Sequence, residues 1–276
     1  MSGVMQRTLS ILELLAGHPD GLPVGVIASD LDMPLSAAHR LLKELGEFGY
    51  VRQVRSQGDY ALTIRMAAQG LSFLGKIGVT DVAQPILDRL AGDARELIRL
   101  SVIDFPNLVW VAVAQGAMTG LRYDPGREQG VVVHLSSSAG GRAWLSTLSD
   151  DDALALVAAQ AKDPAVARTS ETAPTMTDLL QILKATRARG YSVAIDSYLA
   201  GMGAMAVAIH RPGDRAVIGC LSIAGPAVRF TPDRMDAMHA SLRAAADEIG
   251  MASQASFFFN RLRHTAEGQK RCTMAD

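Results

Sequence analysis

The chain has 276 residues, with 27 Lys and Arg against 28 Asp and Glu, 49% apolar residues and only 5% aromatic ones. Such a composition excludes a disordered or fibrous protein, and the length suits two unequal domains with a sizeable core rather than a disulfide-stapled miniprotein. A formal charge of −1 excludes a polybasic coat, although nucleic-acid binding depends on where the charges sit rather than on their total.

Cys220 and Cys272 are too few for a disulfide framework and too far apart for a CxxC or zinc cluster, so no metal or cofactor is expected and a reducing cytoplasm is. Arg7 and Glu13 interrupt the apolar N-terminus, and no later run approaches the roughly 18 apolar residues of a membrane span.

In chain order, Met5, Leu9, Leu12 and Ala16 recur at three- and four-residue steps between Val4 and Ala16, which predicts an amphipathic helix ended by Gly17, Pro19 and Gly21. A second helix follows over Val24 to Leu31 and stops at Asp32-Met33-Pro34, because proline disfavours a helical residue before it. A third, Ser36 to Phe48, places Ala38, Leu41, Leu42 and Leu45 on one stripe and Ser36, Arg40, Lys43 and Glu47 on the other. Tyr50 to Arg55 alternates, Ser56 to Asp59 carries turn chemistry and Tyr60 to Leu62 returns as a strand. Three helices and a hairpin make a winged helix-turn-helix.

A helix of roughly 10 to 12 Å diameter fits the major groove of DNA, so the exposed start of the third helix is the part that reaches base edges. Ser36, Ala37, His39 and Arg40 are the candidates; Lys43 is read as a phosphate contact, and Arg52 and Arg55 as wing contacts to the flanking backbone. Against this, residues 1–78 hold seven basic and seven acidic side chains, and a neutral three-helix domain can equally bind protein. Clustering of the basic residues on the third helix and wing favours DNA, with two copies needed to offset weak charge.

These residues resemble the IclR family of bacterial transcriptional regulators. The likeness starts in Pro34-Leu35-Ser36-Ala37-Ala38-His39-Arg40-Leu41-Leu42 and Gly49-Tyr50-Val51, and continues in Ser136-Ser137-Ser138-Ala139-Gly140-Gly141-Arg142-Ala143, Arg189-Gly190-Tyr191 with Gly201, and Leu221-Ser222-Ile223-Ala224-Gly225-Pro226. It implies an α+β protein: a winged helix-turn-helix over residues 1–63, a linker helix over 64–78, a GAF-like mixed α/β effector-binding domain over 79–250, and a C-terminal extension over 251–276. It also implies a homodimer or dimer of dimers on a pseudo-palindromic operator, with output controlled by a small organic acid or aromatic metabolite.

The residues themselves agree with that layout. Ile64, Ala67, Leu71 and Leu74 form a helical stripe weakened by Gly70, Gly75 and Gly78, each costing roughly 1 kcal/mol relative to alanine. Val82, Ile86, Leu90 and Ala94 suggest a helix; Leu97 to Ile103 and Leu108 to Ala114 read as strands around Asp104 to Asn107; Val131 to Val133 reads as a strand end. Ala139 to Leu148 and a segment holding Leu179, Ile182, Leu183 and Thr186 read as helices, with strands at Tyr191 to Ile195, Met205 to Ile209 and Ala216 to Ile223, and a closing helix after Thr231-Pro232.

Hydroxyls and glycine amides leading into a helix at Ser136 to Gly141 suit a carboxylate, although Ser138 as an ordinary cap and the glycines as a tight turn explain the same residues. On the resemblance, Ser138, Ala139, Gly140 and Gly141 face Asp196, Met202, Ala204 and Met205, with Cys220, Ser222 and Ala224 on the late strand, around the effector. Three departures stand out. Asp196-Ser197 alone represents an acidic pair, Arg142 replaces a lysine, and Ala204 and Ala224 occupy places often polar. Met202, Ala204, Met205 and Ala224, with Trp110, then point to an apolar pocket for a ring or alkyl body bearing a polar end.

The rival class is an enzyme acting on a small metabolite, recruited by the N-terminal domain. Its candidates are Cys220, set in an apolar strand, and His134 beside Ser136 to Ser138, without a GxSxG elbow or HExxH. A protein-interaction adaptor is a third reading. Past residue 250, Phe257-Phe258-Phe259 with Arg261, Arg263, Lys270 and Arg271 suggests packing against a neighbour or onto its own domain.

Overall fold

The computed structural model describes residues 3–54, 58–77, 80–123, 129–163 and 173–255. Arg55, the tip of the predicted wing turn, Gly78 and the extension from residue 256 onward lie outside them. The chain divides into two compact units, Met1–Lys76 and Ile77–Asp276.

In the first unit α1 (Val4–Ala16), α2 (Val24–Asp30) and α3 (Leu35–Glu47) precede a hairpin of β1 (Val51–Gln53) and β2 (Tyr60–Leu62). Their apolar stripes meet in one core: Ile11 and Leu15 from α1, Ile27 and Ala28 from α2, Ala38, Leu41, Leu42 and Leu45 from α3, and Val51 from β1. The turn between α2 and α3 is closed by the Met33 amide donating to the Ala28 carbonyl. Pro34 occupies the N-cap of α3, where its missing N–H costs nothing. The hairpin pairs Val51 with Leu62 and Gln53 with Tyr60, and Leu22 adds a bridge to Tyr60. Helix α4 (Arg65–Ile77) follows, with Arg65 stacked 5.2 Å from the Tyr50 ring.

The second unit is a five-stranded antiparallel sheet ordered β4-β3-β7-β6-β5, where β3 is Leu97–Asp104, β4 Asn107–Gln115, β5 Ser192–Ile195, β6 Met202–His210 and β7 Val217–Pro226. Helices α5 (Thr80–Ala94) and α9 (Pro232–Ala252) pack on the sheet, as do α6 (Ala139–Leu145) and α8 (Met176–Arg189), while α7 (Asp150–Gln160) adds Ala153 and Leu156 to the core they form. Strand alternation assigns the faces. Leu108, Trp110, Ala194, Ala206 and Cys220 share a core with α6, α7 and α8, while Gly203 sits against Phe230 and Met235 on the α9 side.

Three expectations need correction. Val131 to Val133 forms a single bridge, Val132 to Val109, rather than a strand. The helix from Ala139 ends at Leu145, with the Ser146 and Thr147 hydroxyls donating to the Ala143 and Trp144 carbonyls. Helix α7 was not anticipated, although Ser149 caps it and Asp150, Asp151 and Asp152 fill its first turn, a start signal that favours the positive end of the helix dipole.

A partly buried ion group sits at the start of β3. Glu96, 1% exposed, accepts from Arg229 at 2.7 and 2.9 Å and lies 3.4 Å from Arg234. Gly225 leaves the room it needs, since a Cβ there would come within 2.3 Å of the Glu96 carboxylate.

Candidate functional site

Two regions gather the predicted residues. On α3 the buried stripe leaves Ser36, His39, Arg40 and Lys43 exposed and Ala37 half-buried, and Arg52 is exposed on β1. The cations are lightly held: Arg40 pairs with Glu44 at 3.0 Å and Lys43 with Glu47 at 4.0 Å, all four side chains largely in solvent. Exposed i,i+4 pairs contribute only about 0.3 to 0.5 kcal/mol, so both cations can exchange partners for a phosphate or base edge.

In the second unit a small enclosed cavity lies between α6 and the sheet, lined by Arg99, Ser138, Ala139, Ala194, Tyr198, Leu199, Met202 and Ala204. Its volume is ≈ 20 Å³, room for about one water molecule. Of the predicted residues, Ser138, Ala139, Met202 and Ala204 line it.

The others sit elsewhere. Met205 faces the opposite side of the sheet, because side chains alternate along β6 and Met202 and Ala204 take the cavity side. Gly140 faces the sheet, where a Cβ would meet Leu108, Ser101 and Cys220. Gly141 lets α6 press onto the backbone of Leu135, 2.3 Å from where a Cβ would stand, and its amide donates to Ser138 Oγ at 3.0 Å. The capping explanation of Ser138 is therefore realised.

Asp196 adopts φ +52°, and its carboxylate accepts the Gly201 amide at 2.6 Å. It closes the turn between β5 and β6 rather than lining the cavity. Cys220, Ser222 and Ala224 share the cavity-side face of β7 by alternation but are not among the lining residues. The Ser222 hydroxyl donates to the Arg99 carbonyl at 3.4 Å.

Four lining residues were not singled out in the sequence: Arg99, Ala194, Tyr198 and Leu199. Arg99 is 4% exposed, its guanidinium 4.9 Å from the Trp110 ring centre and 5.2 Å from that of Tyr123. Tyr198 meets Trp110 edge to face at 5.5 Å. A single cation inside the apolar run Leu97-Ile98-Arg99-Leu100 was the available signal, since charges are rarely buried without a task.

Arg142 supports α6 instead of facing the cavity. Its Nε donates to the Ser136 carbonyl at 2.8 Å and Nη1 to that of Val193 at 2.7 Å, and burial lowers its pKa to about 10. Burial, then the Arg142 charge, lowers the pKa of His134, whose Nδ1 lies 2.8 Å from Ser137 Oγ.

Ser137 is fully buried beside His134 rather than set at an open cleft. Cys220 fares likewise: it is fully buried, and burial drives its thiol pKa far up, away from the thiolate a nucleophile needs.

Comparison with known proteins matches both units of the chain. The IclR helix-turn-helix domain matches residues 4–55, and the bacterial transcriptional regulator IclR C-terminal domain matches residues 71–251. The acetate operon repressor of Salmonella typhimurium is 29% identical over 248 residues, 90% of this chain and 89% of its own. The transcriptional repressor IclR of Escherichia coli is 28% identical with the same coverage. In fold, the chain is similar to an IclR homolog from Microbacterium hydrocarbonoxydans complexed with 4-hydroxybenzoate: TM-score 0.69, 21% identity, 92% of this chain and 100% of that one.

Proposed function

Since the chain belongs to the IclR family of bacterial transcriptional regulators, and is thus a ligand-responsive DNA-binding protein rather than an enzyme, we propose how its own residues divide that work. Residues 1–63 form the winged helix-turn-helix, residues 64–78 the linker, residues 79–250 the effector receptor and residues 251–276 an extension. Ser36, Ala37, His39 and Arg40 meet base edges in the major groove, and Lys43, Arg52 and Arg55 hold the backbone. The protein acts in the cytoplasm as a homodimer or dimer of dimers on a pseudo-palindromic operator, because pairing raises the effective concentration of a weakly charged domain.

A small organic acid or aromatic metabolite occupies the cavity between α6 and the β5–β6 turn. That a Microbacterium protein of the same fold is complexed with 4-hydroxybenzoate supports an effector of this class. Occupancy changes operator affinity through differential binding to two arrangements of the protein, typically with about 1 to 3 kcal/mol of coupling.

The observation that carries the DNA-binding assignment is the two-faced helix α3, which buries Ala38, Leu41, Leu42 and Leu45 and leaves Arg40 and Lys43 in solvent. Its test is Arg40→Ala in a gel-shift titration against the protein's own promoter and a scrambled fragment. Promoter affinity is expected to fall about tenfold or more, by loss of a contact worth about 1 to 3 kcal/mol, with self-association intact. Unchanged affinity across a salt series refutes the assignment.

A further inference from the structure

We propose that Leu35 reads a thymine in each operator half-site by packing on its 5-methyl group; this rests on the reading of α3 as the helix that enters the major groove. Leu35 is the first residue of α3, held by Pro34 at the N-cap with φ −59°, and it is 51% exposed. Among the described residues it belongs neither to the core of this unit nor to the partly buried side chains packed against that core. An exposed leucine by itself says little, since apolar atoms cover much of any protein surface. Its place on the helix says more.

The outer side of α3 is graded from start to end. Its first turn, Leu35 to Ala38, carries no charge, while the exposed cations Arg40 and Lys43 stand farther on. At about 1.5 Å per residue Lys43 lies about 12 Å from Leu35 along the axis, whereas the major groove is roughly 8.5 Å deep. A helix entering by its start therefore brings Lys43 to the phosphates and Leu35 to the groove floor. Every Cα–Cβ bond tilts toward the N-terminus of its helix, so the leucine side chain reaches ahead of the first turn. His39, also exposed, follows four residues on along the same flank.

That floor offers one kind of apolar group, the thymine 5-methyl. Guanine, adenine and cytosine present donors and acceptors there, and leucine can satisfy neither. A leucine set over those edges strips their water without replacing the hydrogen bonds. Over thymine, two apolar surfaces leave water together. A cytosine at the same position loses the methyl and puts an amino donor beside the leucine.

The experiment replaces the thymines of the promoter fragment one at a time by deoxyuridine and titrates each fragment with the full chain. Uracil keeps every hydrogen-bonding group of thymine and lacks only the methyl. Replacement at one position per half-site is expected to weaken binding about fourfold, and at both positions about fifteenfold, the equivalent of one and two buried methyl groups. Leu35→Ala removes the difference between thymine and uracil at that position, and Leu35→Met keeps it. Because the side chain stands half in solvent and outside the core, the truncation leaves the fold of the domain in place.

A flat uracil profile, or one that Leu35→Ala leaves intact, overturns the proposal. An intact profile alongside altered self-association does so too, and assigns the leucine to a protein partner. The same titrations separate the two readings: promoter-specific binding with a flat uracil profile sinks this inference alone, while equal binding of promoter and scrambled fragments sinks the functional reading beneath it.

Discussion

Gly140 and Gly141 are neighbours on one short helix, yet alanine at each is expected to have opposite effects. At Gly141 an added Cβ would stand 2.3 Å from the Leu135 carbonyl oxygen, 2.5 Å from its Cα and 2.7 Å from its carbonyl carbon. These are backbone atoms, so the clash is relieved only by lifting α6, whose residues are all buried. Overpacking of this kind costs about 1 to 3 kcal/mol. At Gly140 the nearest atoms are 3.7 to 3.9 Å away, ordinary contact, and replacing a helical glycine stabilises by about 0.4 to 1 kcal/mol through the unfolded chain. The two variants should therefore differ by about 1.5 to 4 kcal/mol in opposite directions. Denaturant unfolding followed by Trp fluorescence measures this well, because the protein's two tryptophans, Trp110 and Trp144, both lie in the second unit. A stabilising or neutral Gly141→Ala, or a Gly140→Ala as damaging as its neighbour, refutes the packing argument and returns both glycines to the role of anion-binding amides.

Two further outcomes test the groups around this site. Glu96→Gln removes the counter-charge of Arg229 and Arg234; because those arginines are 33% and 31% exposed, the expected loss is about 2 to 4 kcal/mol rather than the most a buried pair can cost. A melting temperature unchanged in the second unit shows that the ion group is dispensable. For His134 the folded pKa is lowered, so the unfolded chain takes up a proton near its ordinary value, about 6.5, before the folded one does. Stability is thus fully present above that value and lost as pH falls through the lower folded pKa. Between about pH 7.5 and 5.5 wild-type stability should fall more steeply than that of His134→Gln, and parallel profiles rule the histidine out as the cause.

Much of the first unit was legible because its determinants are local. The stripes of α1 and α3, the Pro34 interruption and the short returning strand Tyr60–Leu62 are periodic features that a backbone turns directly into helices and a hairpin. The same periodicity identified the strands of the second unit, and it carried the α3 candidates, whose exposure follows from lying opposite a buried stripe. Where the local pattern was thin, as at Val131 to Val133, β-branched residues suggested a strand that the sheet uses only as a bridge.

Periodicity does not say which side of a sheet will hold a cavity. Alternation along β6 separates Met202 and Ala204 from Met205, but packing of α6 on one face and α9 on the other decides which set lines the cavity. The demand on Gly141 comes from Leu135, a contact between backbones that residue spacing does not register. Arg99, Ser138, Ala194 and Met202 are far apart in the chain and meet only because the β4-β3-β7-β6-β5 order sets β3 and β6 on either side of β7 beneath α6. Sequence alone thus determined most of the elements and the two-faced helix α3, whose physics is local; the cavity was decided by tertiary packing, because burial and charge pairing act between residues that only the folded chain brings together.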